Sequence, residues 1–259
     1  MTRTTDGVNR MPSFDLTLTK RRLLSGMALT VSAVALAACS EEKKAEAPKA
    51  PEAPATTDAA TTASTTPAAK AEIPQADGDV DMAKVLEPGP LPEMALGPAD
   101  AKVTVVEYMS MTCPHCAHFH NETFDKIKEK YVDTGKVRFI IREFPFDPRA
   151  AAAFMLARCA PNNTYFPMVS MLFKQQQTWA AAEDGKAALL QMSKLAGFTQ
   201  ESFEKCLTDQ KLLNDVNAVR ERGAKDFGVN ATPTFLINGK RYAGAMSFET
   251  MSALLDSLL

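Results

Sequence analysis

The chain has 259 residues, with 29 Lys and Arg against 31 Asp and Glu, for a formal net charge of -2. That balance excludes a general nucleic-acid binder, which carries a basic stripe and a high pI. Apolar side chains make up 46% of the chain, enough for one sizeable core. There are five cysteines, an odd number that leaves one with a separate duty.

Residues 1–38 read as an export signal: Lys20, Arg21 and Arg22 precede an apolar run from Leu23 to Ala38 that ends in small residues. At about 1.5 Å per residue the run covers roughly 24 Å, short of the ~30 Å hydrocarbon core, so it suits a cleaved signal better than a membrane span. The paired arginines suggest the twin-arginine route, with Lys20 where Ser or Thr is usual. Leu36-Ala37-Ala38-Cys39 resembles the lipobox of bacterial lipoproteins, which implies acylation of Cys39 and a lipid anchor, and accounts for the odd cysteine. Export places the other four cysteines where disulfides persist. From Ser40 to about Gln75 the chain is Ala, Thr, Pro, Glu and Lys, unable to offset its ordering entropy by burial. Residues 39–94 as a whole are expected to be a disordered tether and extended segment, with Pro88, Pro90 and Pro92 holding the later part extended. The folded domain is expected over 95–259.

Within it, Val103 to Met109 reads as a buried strand. A helix is predicted from Cys113 to about Tyr131, and a second strand from Lys136 to Phe144, closed by Pro145. Residues 148–227 are helical in pattern, with pieces beginning after Pro148, near Thr164, near Asp184, after Thr199 and at Asp209. Thr234–Ile237 and Lys240–Ala243 flank Asn238-Gly239, a strong hairpin signal, and a last helix starts at Ser247. The order strand, helix, strand, helical block, hairpin, helix is an α/β plan that resembles a thioredoxin fold with a helical insertion at about 148–227.

The chemistry centres on Cys113-Pro114-His115-Cys116, just after a buried strand and at a helix start. Unpaired N–H groups and the positive dipole end favour an anion there, so Cys113 is expected largely as thiolate. Pro114 suits the first helical turn, and His115 as a cation would lower the Cys113 pKa further. Cys116, one turn on and more shielded, suits a resolving thiol. Stabilising the thiolate of the reduced form makes the disulfide form a better oxidant.

The motif in this setting resembles the DsbA-type disulfide oxidoreductases, over about residues 95–259, and is most similar to their lipoprotein-like, four-cysteine members. The resemblance implies that Thr232-Pro233 is a cis-proline loop beside the motif, with the Thr232 backbone open to an extended substrate peptide. It also implies that Glu107 is a buried acid placed to take the Cys116 proton, with a basic partner open among Lys136, Arg138 and Arg142. Threonine before the proline also occurs in isomerase members. Dedicated isomerases carry an amino-terminal dimerisation module, however, and residues 40–90 look too polar and Pro-rich to fold as one.

In an oxidising compartment Cys159 and Cys206 are expected to form a structural disulfide, closing a 48-residue loop. In the chain-entropy model it contributes on the order of 4 kcal/mol. The alternative is two buried free thiols. All three histidines, His115, His118 and His120, fall near the motif. Cys113, Cys116 and His120 share one helix face, which permits a rival reading as a zinc- or copper(I)-binding lipoprotein, although a fourth ligand is not apparent. Otherwise His118 and His120 read as solvated. Trp179 and Gln175–Gln177 carry no assigned chemistry, and Met109, Met111 and Phe119 read either as an adaptable substrate surface or as core.

These observations lead to a periplasmic, lipid-anchored, monomeric protein disulfide oxidoreductase. It would donate its Cys113–Cys116 disulfide to reduced or misfolded exported proteins, without metal or organic cofactor. The resemblance implies reoxidation by a DsbB-like, quinone-linked membrane oxidase. A disulfide isomerase or reductase is the second reading.

Overall fold

The β-branched run of Val103–Met109 forms β3, the centre of a six-stranded sheet, in a computed structural model that describes residues 72–259. The export signal expected over 1–38, Cys39, and the tether as far as residue 71 lie outside the described residues. In chain order the elements are β1 (Gly78–Asp79), α1 (Met82–Val85), β2 (Met94–Leu96) and β3. Then comes α2, which starts as Pro114–Phe119 and runs on through π-helical His120–Phe124, an α turn Asp125–Ile127 and π-helical Lys128–Val132. After β4 (Val137–Glu143) the insertion supplies α3 (Pro148–Arg158), α4 (Tyr165–Lys174), α5 (Gln176–Ala180), α6 (Gly185–Leu195), α7 (Gln200–Leu207) and α8 (Gln210–Phe227). β5 (Thr234–Ile237), β6 (Lys240–Ala243) and α9 (Phe248–Leu258) complete the fold.

The sheet order is β1-β6-β5-β3-β4-β2, with β3 and β4 parallel and every other pairing antiparallel. This is the thioredoxin plan with a helical insertion. The domain starts earlier than residue 95. The segment expected to be extended chain supplies β1, paired to β6, and a one-turn helix whose Val85 is fully buried, while β2, paired to β4, straddles the expected boundary. Strands of two and three residues held by backbone pairing at sheet edges leave no hydrophobic period to read, and edges tolerate the neighbouring prolines.

Side chains of β3 alternate between two cores. Val103, Val105 and Met109 face α2 and the insertion, whereas Val106 and Tyr108 pack with Val85, Val219, Phe227 and Leu236. Glu107 shares the parity of Val105 and Met109, so its carboxylate enters the core from beneath α2. Met109, Met111 and Phe119 are fully buried, which decides for the core reading. On the opposite face Gly223 lets α8 close onto the sheet, because a Cβ there would sit 2.6 Å from the Tyr108 ring. Cys159, at the end of α3, is joined to Cys206 in α7 by a disulfide, with Cα atoms 6.2 Å apart. Among the described residues no helix is long and apolar enough to cross a membrane.

Candidate active site

Cys113 occupies the position before the first turn of α2, with extended backbone and Pro114 just inside the helix. Proline has no N–H to leave unpaired there, and the N–H groups of His115 and Cys116 point back at the sulfur. Both thiols are free. The Cys113 thiol donates to the backbone carbonyl of Thr232 at 3.2 Å, across a cis Thr232-Pro233 peptide bond. Gly244 N–H donates to the Pro233 carbonyl at 2.8 Å and fastens the loop to the end of β6.

The two sulfurs are driven apart electrostatically. Cys113 is lowered from an ordinary 9.0 to about 5, chiefly because the Cys116 S–H donates to it. Burial opposes the shift, while the Thr232 hydroxyl and the backbone N–H groups of Cys116 and His115 assist it. Cys116 is pushed well above 9.0, first by burial, then by that same donated hydrogen bond and by the charges of Glu107 and Cys113. The His115 side chain is exposed, and the residue stabilises the anion through its backbone N–H. The Thr232 hydroxyl is buried without a partner while Cys113 is a thiol, so it is free to donate once the sulfur is an anion.

Beneath the motif Glu107 is fully buried, and its basic partner is none of Lys136, Arg138 or Arg142. The partner is His120, whose Nε2 lies 2.9 Å from Oε2 and 3.2 Å from Oε1. The expectation of a solvated His120 is therefore overturned, whereas His118 is exposed. The sequence held a signal for this, because Cys116, Phe119, His120 and Thr123 are spaced as one buried helix stripe. Glu107 takes up the Nε2 of His120, one of the trio considered for metal. Among the described residues no group of three or more His, Cys, Asp and Glu is arranged to hold an ion.

Two supports were not legible beforehand. Gln176 at the start of α5 is buried and donates Nε2 to the carbonyls of Met111 at 2.9 Å and Cys113 at 3.0 Å, fixing the strand-to-helix loop. Asp147 accepts from Thr112 Oγ1 at 2.5 Å and from the Ala150 N–H at 2.9 Å, so the cap of α3 also ties the insertion to that loop. Thr112, Pro114, Asp147, Arg149 and Gln176 border a groove of about 650 Å³ beside the motif. The structure thus gathers Glu107, Cys113, Pro114, Cys116, Thr232 and Pro233 at one place, and leaves Cys159 and Cys206 in the insertion. Chemically, such a pair of thiols can exchange with a disulfide: one sulfur attacks as an anion and the other stays protonated until needed.

A family model described as Thioredoxin matches residues 91–257. The crystal structure of Wolbachia pipientis alpha-DsbA1 is similar at 31% identity and a TM-score of 0.63, over 68% of this chain and 94% of that one. The chain belongs to the DsbA-type branch of the thioredoxin superfamily. A Rickettsia bellii protein named "Putative protein-disulfide oxidoreductase" is 34% identical over 168 residues, 64% of each chain. The matched region thus spans a little under two thirds of that curated relative. BdbD from Bacillus subtilis, at 20% identity and a TM-score of 0.58, shares the fold.

Proposed function

We propose that this DsbA-type protein is a protein-disulfide oxidoreductase that donates the Cys113–Cys116 disulfide to exported proteins. The observation that carries the reading is the opposite displacement of the two thiols, Cys113 to about 5 and Cys116 well above 9.0. A sulfur held as an anion at neutral pH is a good leaving group and stabilises the reduced enzyme, so the disulfide form is a strong oxidant. A substrate thiolate attacks Cys113, the Cys113–Cys116 bond breaks, and Cys116 leaves with the electron pair and is protonated. A second substrate thiolate then attacks the substrate sulfur of the mixed disulfide, which releases oxidised substrate and the Cys113 thiolate. An extended substrate backbone pairs with Thr232, whose N–H has no backbone partner among the described residues.

The export signal and the lipobox-like Leu36-Ala37-Ala38-Cys39 support a lipid-anchored, periplasmic location. There the enzyme would act as a monomer and be reoxidised by a DsbB-like quinone-linked membrane oxidase. The deciding measurement is the Cys113–Cys116 reduction potential against glutathione. A donor is expected well above about -200 mV, whereas a value near thioredoxin's roughly -270 mV would reassign the protein as a reductase. A Cys116→Ala variant expressed in its own cell should accumulate mixed disulfides that identify the clients, and recovery of none would remove the catalytic reading.

A further inference from the structure

The exchange cycle needs somewhere to put the Cys116 proton, because that thiol is fully buried and its ionisation is opposed by its surroundings. The acid whose charge reaches it, Glu107, is also fully buried. An enclosed carboxylate with no partner is expensive to keep ionised, and enclosed on all sides it is poorly placed to exchange protons with solvent. His120 answers both requirements. Its Nε2 spans both carboxylate oxygens at 2.9 and 3.2 Å, and its side chain keeps 3% of its surface exposed where that of Glu107 keeps none. Its ring is held between Phe173, stacked at 4.6 Å and 21°, and Phe124 at 4.8 Å, so the imidazole edge stays aimed at Glu107. The π-helical stretch of α2 begins at this residue, a local departure from α geometry of the kind often found at functional positions.

We propose that Glu107 and His120 work as a dyad, in which the proton leaving Cys116 passes to Glu107 and is held between Glu107 and His120 until it reaches solvent. This rests on the exchange reading above and deepens it by adding a positioning and proton-holding residue. When a mixed disulfide at Cys113 is resolved internally, the Cys116 S–H bond breaks and its proton goes to the Glu107 carboxylate. The sulfur's electron pair forms the Cys113–Cys116 bond, and the outgoing thiolate departs with the electrons of the broken S–S bond. In the donating direction a substrate thiolate breaks the Cys113–Cys116 bond, and the Cys116 sulfur recovers a proton from the dyad.

Among the described residues, few other ionisable groups face the pair. Cys116 and Cys113 do so from α2, and Tyr165 from α4, whose phenol responds to the charge of Glu107 and donates to Glu143 of β4 at 3.2 Å. On α9, Glu249 interacts with Lys126, and Asp256 with Lys130 and Tyr131, so neither serves the imidazole.

The test is the reaction of the reduced protein with oxidised glutathione, quenched at intervals and resolved by mass spectrometry. It separates formation of the Cys113–glutathione mixed disulfide from the release of glutathione driven by Cys116. In His120→Gln, which keeps a hydrogen bond to Glu107 and cannot take up a proton, formation should keep its wild-type rate. Release should slow by at least about tenfold near pH 7 and recover only as pH rises. Glu107→Gln should behave alike, and the double variant should be no slower than Glu107→Gln alone. Release in His120→Gln with wild-type rate and pH profile overturns the dyad. If no mixed disulfide forms in the wild type, the exchange reading itself falls, and the dyad with it. A second measurement needs no variant: the imidazole ¹⁵N shifts of His120 in the wild type should differ between the oxidised and reduced protein, and identical shifts overturn the proposal.

Discussion

Replacing Cys116 with alanine removes the largest single support of the Cys113 anion, the S–H that donates to it. A hydrogen bond to a charged group contributes about 1.5–3 kcal/mol, and one pKa unit corresponds to about 1.36 kcal/mol, so its loss should raise the Cys113 pKa by about 1 to 2 units. From a starting value of about 5, the variant should titrate at about 6 to 7. It should stay below the ordinary range, because the N–H groups at the helix start and the Thr232 hydroxyl remain. Thiolate ultraviolet absorbance against pH, checked by the pH dependence of iodoacetamide alkylation, measures this directly. No shift would mean that Cys116 does not support the anion. A return to an ordinary thiol value of about 8.5 would mean that the helix start contributes nothing. Either result refutes the electrostatic argument.

Linkage gives a further expectation. Cys113 has a depressed folded pKa of about 5, so its contribution to the stability of the reduced protein is present in full above the unfolded thiol pKa of about 8.5 and is lost as pH falls through the folded value. Thermal unfolding should therefore show the reduced form gaining on the oxidised form between about pH 5 and 8, and parallel curves would contradict it. Thr232→Val removes a hydroxyl that serves only the anion, so the Cys113 pKa should rise by less than in Cys116→Ala and the disulfide should become less oxidising, as read by glutathione equilibrium. Gln176→Leu leaves the Met111 and Cys113 carbonyls without their donor. Urea unfolding should register a loss of about 1–3 kcal/mol with slower exchange, and unchanged values would deny Gln176 its clamping role. Replacing Cys159 and Cys206 together with alanine should cost up to about 4 kcal/mol by the same denaturant assay and leave the Cys113 pKa where it was.

The helix start, the CxxC spacing, the Asn238-Gly239 hairpin and the caps at Asp209 and Ser247 are local devices, each acting within about one turn of chain, and the structure forms them where the pattern places them. His120 was legible in principle, from its place on the buried stripe of α2, but a histidine among charged neighbours weighs as solvated unless that stripe is counted first. Gln176 had no such signal, since it lies 63 residues from the carbonyl of Cys113 that it holds.

By itself, the order of residues determined which sulfur would be the anion and which fold would carry it, because capping, periodicity and the field of a helix end are short-range consequences of neighbouring side chains. Only the folded chain decided what surrounds those sulfurs. The Thr232 carbonyl arrives from 119 residues away, the Gln176 clamp comes from the insertion, and His120 rather than an arginine or lysine meets Glu107. It also decided that the stretches on either side of the prolines at 88–92 supply the two sheet edges. Such contacts depend on backbone pairing and on the shape of a packed interior, and neither leaves a period or a spacing along the chain.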